Sequence, residues 1–202
     1  IPAFVNYVEG IYVGYKFYET AAAEGLIDYD KTVVYPFGRG LSYTTFTQTL
    51  NSVTEADGTI TVDVTVTNTG SASGKEVVEV YYNPPYTNGG IEKASANLIG
   101  FAKTSELAPG ASENVTVTFK AEDMASYDTY GKGCYVLEKG DYVISINADS
   151  HTVLDSKVYN VASDIVYDAS NKRESDVEVA DNKFDFAEGN VTYLSRADGF
   201  AN

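Results

Sequence analysis

Residues 59–71 read TITVDVTVTNTGS. Ile60, Val62, Val64 and Val66 alternate with Thr61, Asp63, Thr65 and Thr67, which is the period-2 pattern of a strand with one dry and one wet face. Asn68-Thr69-Gly70-Ser71 is turn chemistry and closes the strand. The same grammar repeats outward. Val77 to Tyr82 is apolar on both sides, as a central strand is, and Pro84-Pro85 ends its ladder. Asn97 to Lys103 is a shorter run. After the turn Ala108-Pro109-Gly110, the residues Val115, Val117 and Phe119 alternate with Thr116 and Thr118. Glu138-Lys139-Gly140-Asp141 opens a run through Tyr142, Ile144 and Ile146, and His151 to Tyr159 is the last strand. With Thr45 to Val53 at the front, this predicts about seven short strands over residues 46–163. That count and spacing predict an antiparallel β-sandwich of the immunoglobulin or fibronectin type III kind.

Composition agrees. The chain has 202 residues, with 23 Val, 19 Thr and 17 Tyr, residue types that suit a pleated, half-buried surface. Its net charge of −15 argues against nucleic acid and against an anionic membrane, since both recruit basic faces. No apolar run is long enough to span a bilayer. A single Cys, Cys134, excludes an intrachain disulfide, and with one His it leaves no nitrogen–sulfur zinc set. No cofactor and no metal is expected. Asp123 and Asp128 lie in acidic loops, but neither loop has the ligand spacing of a calcium site.

The flanks differ from the centre. In residues 1–45, Ile11, Tyr15 and Tyr18 repeat at helical spacing and Ala21-Ala22-Ala23-Glu24-Gly25 closes the pattern, so a helix is expected over roughly 9–24. Thr32 to Tyr35 reads as a short strand stopped by Pro36. One helix and one strand do not make a domain, so this zone is expected to be the end of a larger one. Residues 164–202 begin polar and charged, in the manner of a linker, then turn apolar again at Phe184, Phe186, Val191, Tyr193 and Leu194. The start at Ile1 and the stop at Asn202 both predict a piece of a longer chain.

Candidate chemistry is sparse. Gly38-Arg39-Gly40 lacks the third glycine and the lysine of a phosphate loop and reads as a tight turn. Cys134 reads as a small core residue, and pairing it with His151 would need the two brought within hydrogen-bond reach. Glycoside hydrolysis needs two carboxylates across a sugar bond, but the 29 acidic residues offer no sequence basis for choosing a pair. Asn114 and Asn190 begin tripeptides of the glycosylation type. Tyr81, Tyr82 and Tyr86 can stack on sugar rings or fill the sandwich. The long 83–96 loop makes Tyr86 and Asn88 the candidates for a substrate-proximal position.

Five stretches carry a resemblance. Residues 7–19, YVEGIYVGYKFYE, and 35–46, YPFGRGLSYTTF, are similar to two signature segments of glycoside hydrolase family 3, the β-glucosidase and β-xylosidase family. Residues 106–119, ELAPGASENVTVTF, and 134–150, CYVLEKGDYVISINADS, resemble strands of that family's fibronectin type III-like domain. Residues 184–198, FDFAEGNVTYLSRAD, resemble the lead-in to the catalytic barrel in permuted bacterial members, where the (β/α)8 barrel comes last.

The resemblance implies a retaining β-glycosidase acting on terminal β-D-glucosyl residues. It implies residues 1–45 as the end of an α/β-sandwich domain, 46–163 as the fibronectin-like domain, and 164–202 as a linker toward a barrel. The family's nucleophilic Asp and its acid/base Glu have no counterpart here, so no catalytic residue is expected in this chain. Glu9 lies in a family motif that is not the acid/base motif. Lys16 stands where the family often has Arg, and Arg39 where it often has an aromatic residue or His. Phe37, Arg39 and Tyr43 are expected at an interface with the remaining domains. Expected partners are those domains and a β-glucoside or oligosaccharide, with a homodimer permitted. The compartment stays open between cytoplasmic and secreted. A free-standing carbohydrate-binding or cell-surface module is the alternative.

Overall fold

The computed structural model describes residues 9–180, 185–187 and 189–201. Its centre is an antiparallel sandwich. One sheet has the order β1 (Phe46–Ala56), β2 (Thr59–Asn68) and β5 (Ser112–Lys120). The facing sheet has the order β4 (Asn97–Lys103), β3 (Val77–Asn83), β8 (Gly140–Asn147) and β9 (Val153–Val161). Each of the seven expected strands is present. Three short ones join them: β6 (Ser126–Tyr127), β7 (Tyr135–Leu137) and β10 (Ile165–Tyr167) form a small third sheet. β6 and β10 occupy stretches read from sequence as a loop and a tail, because two- and three-residue strands carry no periodic signal, while β7 lies in the 134–150 stretch already read as strand.

The dry face of β2 is the middle of the core. Ile60, Val62, Val64 and Val66 are fully buried, against Val115, Val117 and Phe119 of β5 and Val78, Val80, Tyr142, Ile144 and Ile146 of the opposite sheet. Tyr167 of β10 enters the same core. The β1–β2 hairpin closes on Asp57-Gly58, both at positive φ, a two-residue turn whose twist matches the strands it joins.

Two local expectations are corrected. The first helix, α1, runs over Tyr15–Ala23 rather than 9–24. Gly14, at φ 59°, breaks the helical path, and residues 9–14 are irregular. Thr32 to Tyr35 is not a strand. Tyr29–Thr32 is a single helical turn, α2, started by Asp28, whose carboxylate accepts from the Lys31 amide at 3.4 Å. An apolar run alone does not make a strand without a partner ladder, and none lies beside it among the described residues.

The N-terminal segment covers the outer face of the four-stranded sheet. Tyr81, Ser145 and Asn147 point away from the core yet are buried. Tyr15 of α1 packs edge-on to Tyr81, with ring centroids 6.2 Å apart. The Tyr15 hydroxyl also accepts from the Leu98 amide at 2.9 Å. The Ser95 amide donates to Thr20 Oγ1 at 3.0 Å. The helix is therefore fastened by hydrogen bonds as well as by apolar contact.

Candidate functional site

Two polar clusters sit where the N-terminal segment meets the sandwich. The first is built on Glu19. Its α1 position buries it against the loop between β8 and β9, and it is only 7% exposed. Its Oε1 accepts from the Tyr29 hydroxyl at 2.6 Å and from Ser150 Oγ at 2.7 Å. Its Oε2 lies 2.9 Å from His151 Nδ1. A carboxylate only accepts, so this contact calls for a proton on Nδ1. The His151 ring lies flat on Tyr29, with centroids 3.7 Å apart and planes 6° apart. Asp149 shapes the loop by accepting from the amides of His151 at 3.0 Å and Thr152 at 2.7 Å. Burial, and then the bond to Glu19, pushes the Tyr29 phenol well above its usual range, so it stays a donor.

The second cluster gathers the 84–96 loop, Tyr12 and Glu24 on either side of α1, and Ser195 and Arg196. The Arg196 guanidinium lies over the Tyr86 ring at 3.8 Å. It also bonds Glu24, through Nε at 2.9 Å and through Nη2, and reaches the Lys93 carbonyl through Nη1 at 2.8 Å. Glu92 accepts from Ser195 Oγ, the Arg196 amide and the Tyr12 hydroxyl. Lys93 is 3% exposed, donates to the Pro85 carbonyl at 2.6 Å and pairs with Glu138. A buried ammonium needs such partners, and breaking a buried pair costs about 3–5 kcal/mol. Burial, together with Glu92, also raises the Tyr12 phenol.

The residues expected from sequence are scattered across these surroundings. Tyr86 is half-buried, with one ring face taken by Arg196. Asn88 is exposed at the loop tip, in a turn closed by the Gly90 amide donating to the Thr87 carbonyl. Phe37 stacks on Tyr15 at 4.7 Å, and its carbonyl accepts from the Ser150 amide at 2.8 Å. Arg39 lies over Tyr35 at 5.1 Å. Tyr43 is fully exposed, as Leu41 nearly is, and Val34 and Tyr35 are mostly exposed. Gly38 passes against the Glu79 carboxylate so closely that a Cβ there would collide with it.

His151 is engaged by Glu19, and Cys134 is buried in the third sheet's surroundings with its thiol pushed up by burial. Lys16 is half-buried, and burial lowers its ammonium. Glu9 is exposed. Asp128 caps the amides of Gly131 and Lys132, and Asp123 that of Lys120. Among the described residues, no group of three or more His, Cys, Asp or Glu is placed to hold a metal ion. No helix among them is long and apolar enough to cross a membrane.

Glu19, Tyr29, Ser150 and Arg196 escaped the sequence reading. Glu19, Ser150 and Arg196 each lie within a stretch quoted for the family likeness, 7–19, 134–150 and 184–198, but nothing in those stretches states that they meet other parts of the chain.

Known proteins resemble this chain over most of its length. A fibronectin type III-like domain profile matches residues 76–150. β-Glucosidase A of Butyrivibrio fibrisolvens is 42% identical over 157 residues, 69% of this chain and 18% of that protein. A β-glucosidase of Kluyveromyces marxianus is 33% identical over 176 residues, 82% of this chain and 20% of that one. Among solved structures, β-glucosidase 3B of Thermotoga neapolitana, in complex with α-D-glucose, superposes with a TM-score of 0.68 at 35% identity, over 80% of this chain and 21% of that one. The GH3 β-glucosidase of Bifidobacterium adolescentis superposes with a TM-score of 0.63 at 27% identity, over 89% of this chain and 23% of that one. The chain thus spans about a fifth of the length of the relatives it matches. The chain is similar to the part of family 3 β-glucosidases that carries the fibronectin type III-like domain.

Proposed function

We propose that this chain is the accessory region of a retaining β-glucosidase that hydrolyses terminal β-D-glucosyl residues, and that it has no catalytic pair of its own. The similarity to β-glucosidases over 69–82% of the chain carries this reading. The division is that of the sequence motifs: 1–45 closing an α/β domain, 46–163 forming the brace, and 164–202 leading toward a barrel placed last. The exposed run Val34, Tyr35, Phe37, Leu41 and Tyr43 supports it, since so much apolar surface in one short segment suits an interface with a further domain. Phe37, Arg39 and Tyr43 serve that interface. Asn88, at the tip of the 84–96 loop, is the group that reaches toward substrate. A second copy of this chain is the competing occupant of the apolar run.

The test is an assay on aryl β-glucosides, with the 202-residue chain and the longer gene product side by side. The expected result is turnover by the longer protein alone. If the longer protein cleaves no aryl glycoside and the chain binds a polysaccharide, the free-standing binding module replaces this reading. Sedimentation at rising concentration decides whether the apolar run pairs two copies.

A further inference from the structure

A cavity of about 620 Å³ lies between the start of the N-terminal segment, the 84–96 loop and the stretch from Asp123 to Tyr135. That is within the ordinary size of a small-molecule site. Lys16 of α1 lines it. The side chain is half-buried, yet it makes no hydrogen bond and no ion pair among the described residues. Burial alone lowers its ammonium, and no neighbouring carboxylate counters the effect. A partly dry ammonium without an acceptor is costly, so an acceptor from outside the chain is called for. Tyr130 is a second, independent group on the same cavity. It stands 83% exposed at the rim, and its ring has no stacking partner among the described residues. An aromatic face held open at the mouth of a cavity suits a flat ligand. The other charged groups of the wall are engaged. Glu92 accepts from three donors, Lys93 pairs with Glu138, and Asp123 accepts from the Lys120 amide. Arg173 forks onto Asp176 with both bonds at 2.8 Å and lies over Tyr135 at 3.7 Å.

Lys16 is thus the cation of this wall left without a counter-charge among the described residues. A neutral ligand leaves that charge unpaired. A dianion brings a second negative charge that no free cation meets, into a cavity also lined by Glu9, Glu92 and Asp123. A single negative charge carried on a ring satisfies both open groups. We propose that this cavity binds a monocarboxylate borne on a ring, with the carboxylate accepting from Lys16 Nζ and the ring lying on Tyr130. A uronic acid and an aromatic acid share that chemistry. The site stands on its own walls and not on the function proposed above.

The experiment is a titration of the 15N-labelled chain with glucuronate, 4-hydroxycinnamate, glucose and inorganic phosphate in turn, followed by amide spectra. The expected result is a saturable shift around residues 16 and 130 with at least one of the two acids, with a dissociation constant on the order of 1 mM. Which acid saturates identifies the source of the carboxylate. Glucose and phosphate are expected to bind about tenfold more weakly or worse. Lys16→Met keeps the stem and removes the charge, and it is expected to weaken the bound acid by about tenfold or more. Tyr130→Ala, on the exposed rim, is expected to weaken it about fivefold while the rest of the spectrum keeps its folded pattern. The proposal is overturned if neither acid saturates, if glucose or phosphate binds as tightly as the acids, or if either variant binds as well as the parent chain. None of these outcomes depends on whether the longer protein cleaves aryl glucosides, so the two readings fail separately.

Discussion

His151 Nδ1 lies 2.9 Å from Glu19 Oε2, joining two residues that are 132 positions apart. Glu19 arrives on a helix and His151 on the β8–β9 loop. Their contact ties the N-terminal segment to the sandwich, and Tyr29 seals it by stacking on the imidazole.

The first prediction concerns that tie. Glu19→Ala strands the buried donors of Tyr29 and Ser150 and takes the partner from the more exposed His151. Removing one partner from such a network costs roughly 1–3 kcal/mol for each group left unsatisfied. Chemical denaturation should show a lower midpoint, with Glu19→Gln intermediate because its amide still offers one acceptor oxygen. Loss of helix α1 before the sandwich should be visible as early hydrogen exchange at 15–23.

Arg196 should behave as a clamp on the C-terminal residues. Arg196→Lys keeps the charge but loses the planar fork that spans Glu24 and the Lys93 carbonyl while lying over Tyr86. Faster proteolysis of residues 189–200 is expected in both Arg196→Lys and Arg196→Ala, with the alanine variant cut faster. Equal cleavage rates in all three chains would show that Arg196 does not hold this segment.

A pH effect follows from Glu79. Burial, with help from Asp149, pushes its carboxyl above the usual carboxylate range, against the hydrogen bond from Tyr81. A raised acid binds its proton more tightly in the folded chain than in the unfolded one. Its contribution to stability is therefore fullest below the ordinary carboxylate value and is lost as pH rises through the folded value. Glu79→Gln should raise Tm near neutral pH and leave it unchanged near pH 4, where the native carboxyl is already protonated. Glu76 is raised by burial in the same direction, so part of the pH slope should survive in the variant.

Cys134 should be inert. It is 5% exposed, and burial, then Asp168 and Asp128, push its thiol above the ordinary value. Thiolate is the reacting form, so alkylation by iodoacetamide at neutral pH should be far slower in the native chain than in the urea-unfolded one. Rapid native alkylation would contradict the buried placement.

A core test separates the sandwich from its attachments. Ile60 is fully buried on the central strand β2. Ile60→Ala should cost about 2–5 kcal/mol, as the methyl and methylene groups leave a cavity that packed strands only partly close. The loss should appear in the global unfolding transition rather than in α1 alone.

The sandwich was legible before any coordinates because alternation is a local property. Ile60 to Val66 states which face is dry, and Asn68-Thr69-Gly70 states where the strand stops. Asp57-Gly58, a hairpin turn of a kind that two residues encode, went unread in the sequence. The helix boundary was not legible, because Ile11, Tyr15 and Tyr18 keep helical spacing whether or not Gly14 turns the chain between them. The short strands β6, β7 and β10 exist only through their pairing.

The sequence by itself determined the class of fold, the order of its long strands and the family likeness, since each rests on patterns held within a few residues of chain. Only the tertiary structure decided the two clusters. Glu19 needs Tyr29, Ser150 and His151, and Arg196 needs Glu24 and Tyr86. Hydrogen bonds and stacked rings act over about 3–4 Å in space, whatever the separation along the chain, and no periodicity in the sequence encodes that proximity.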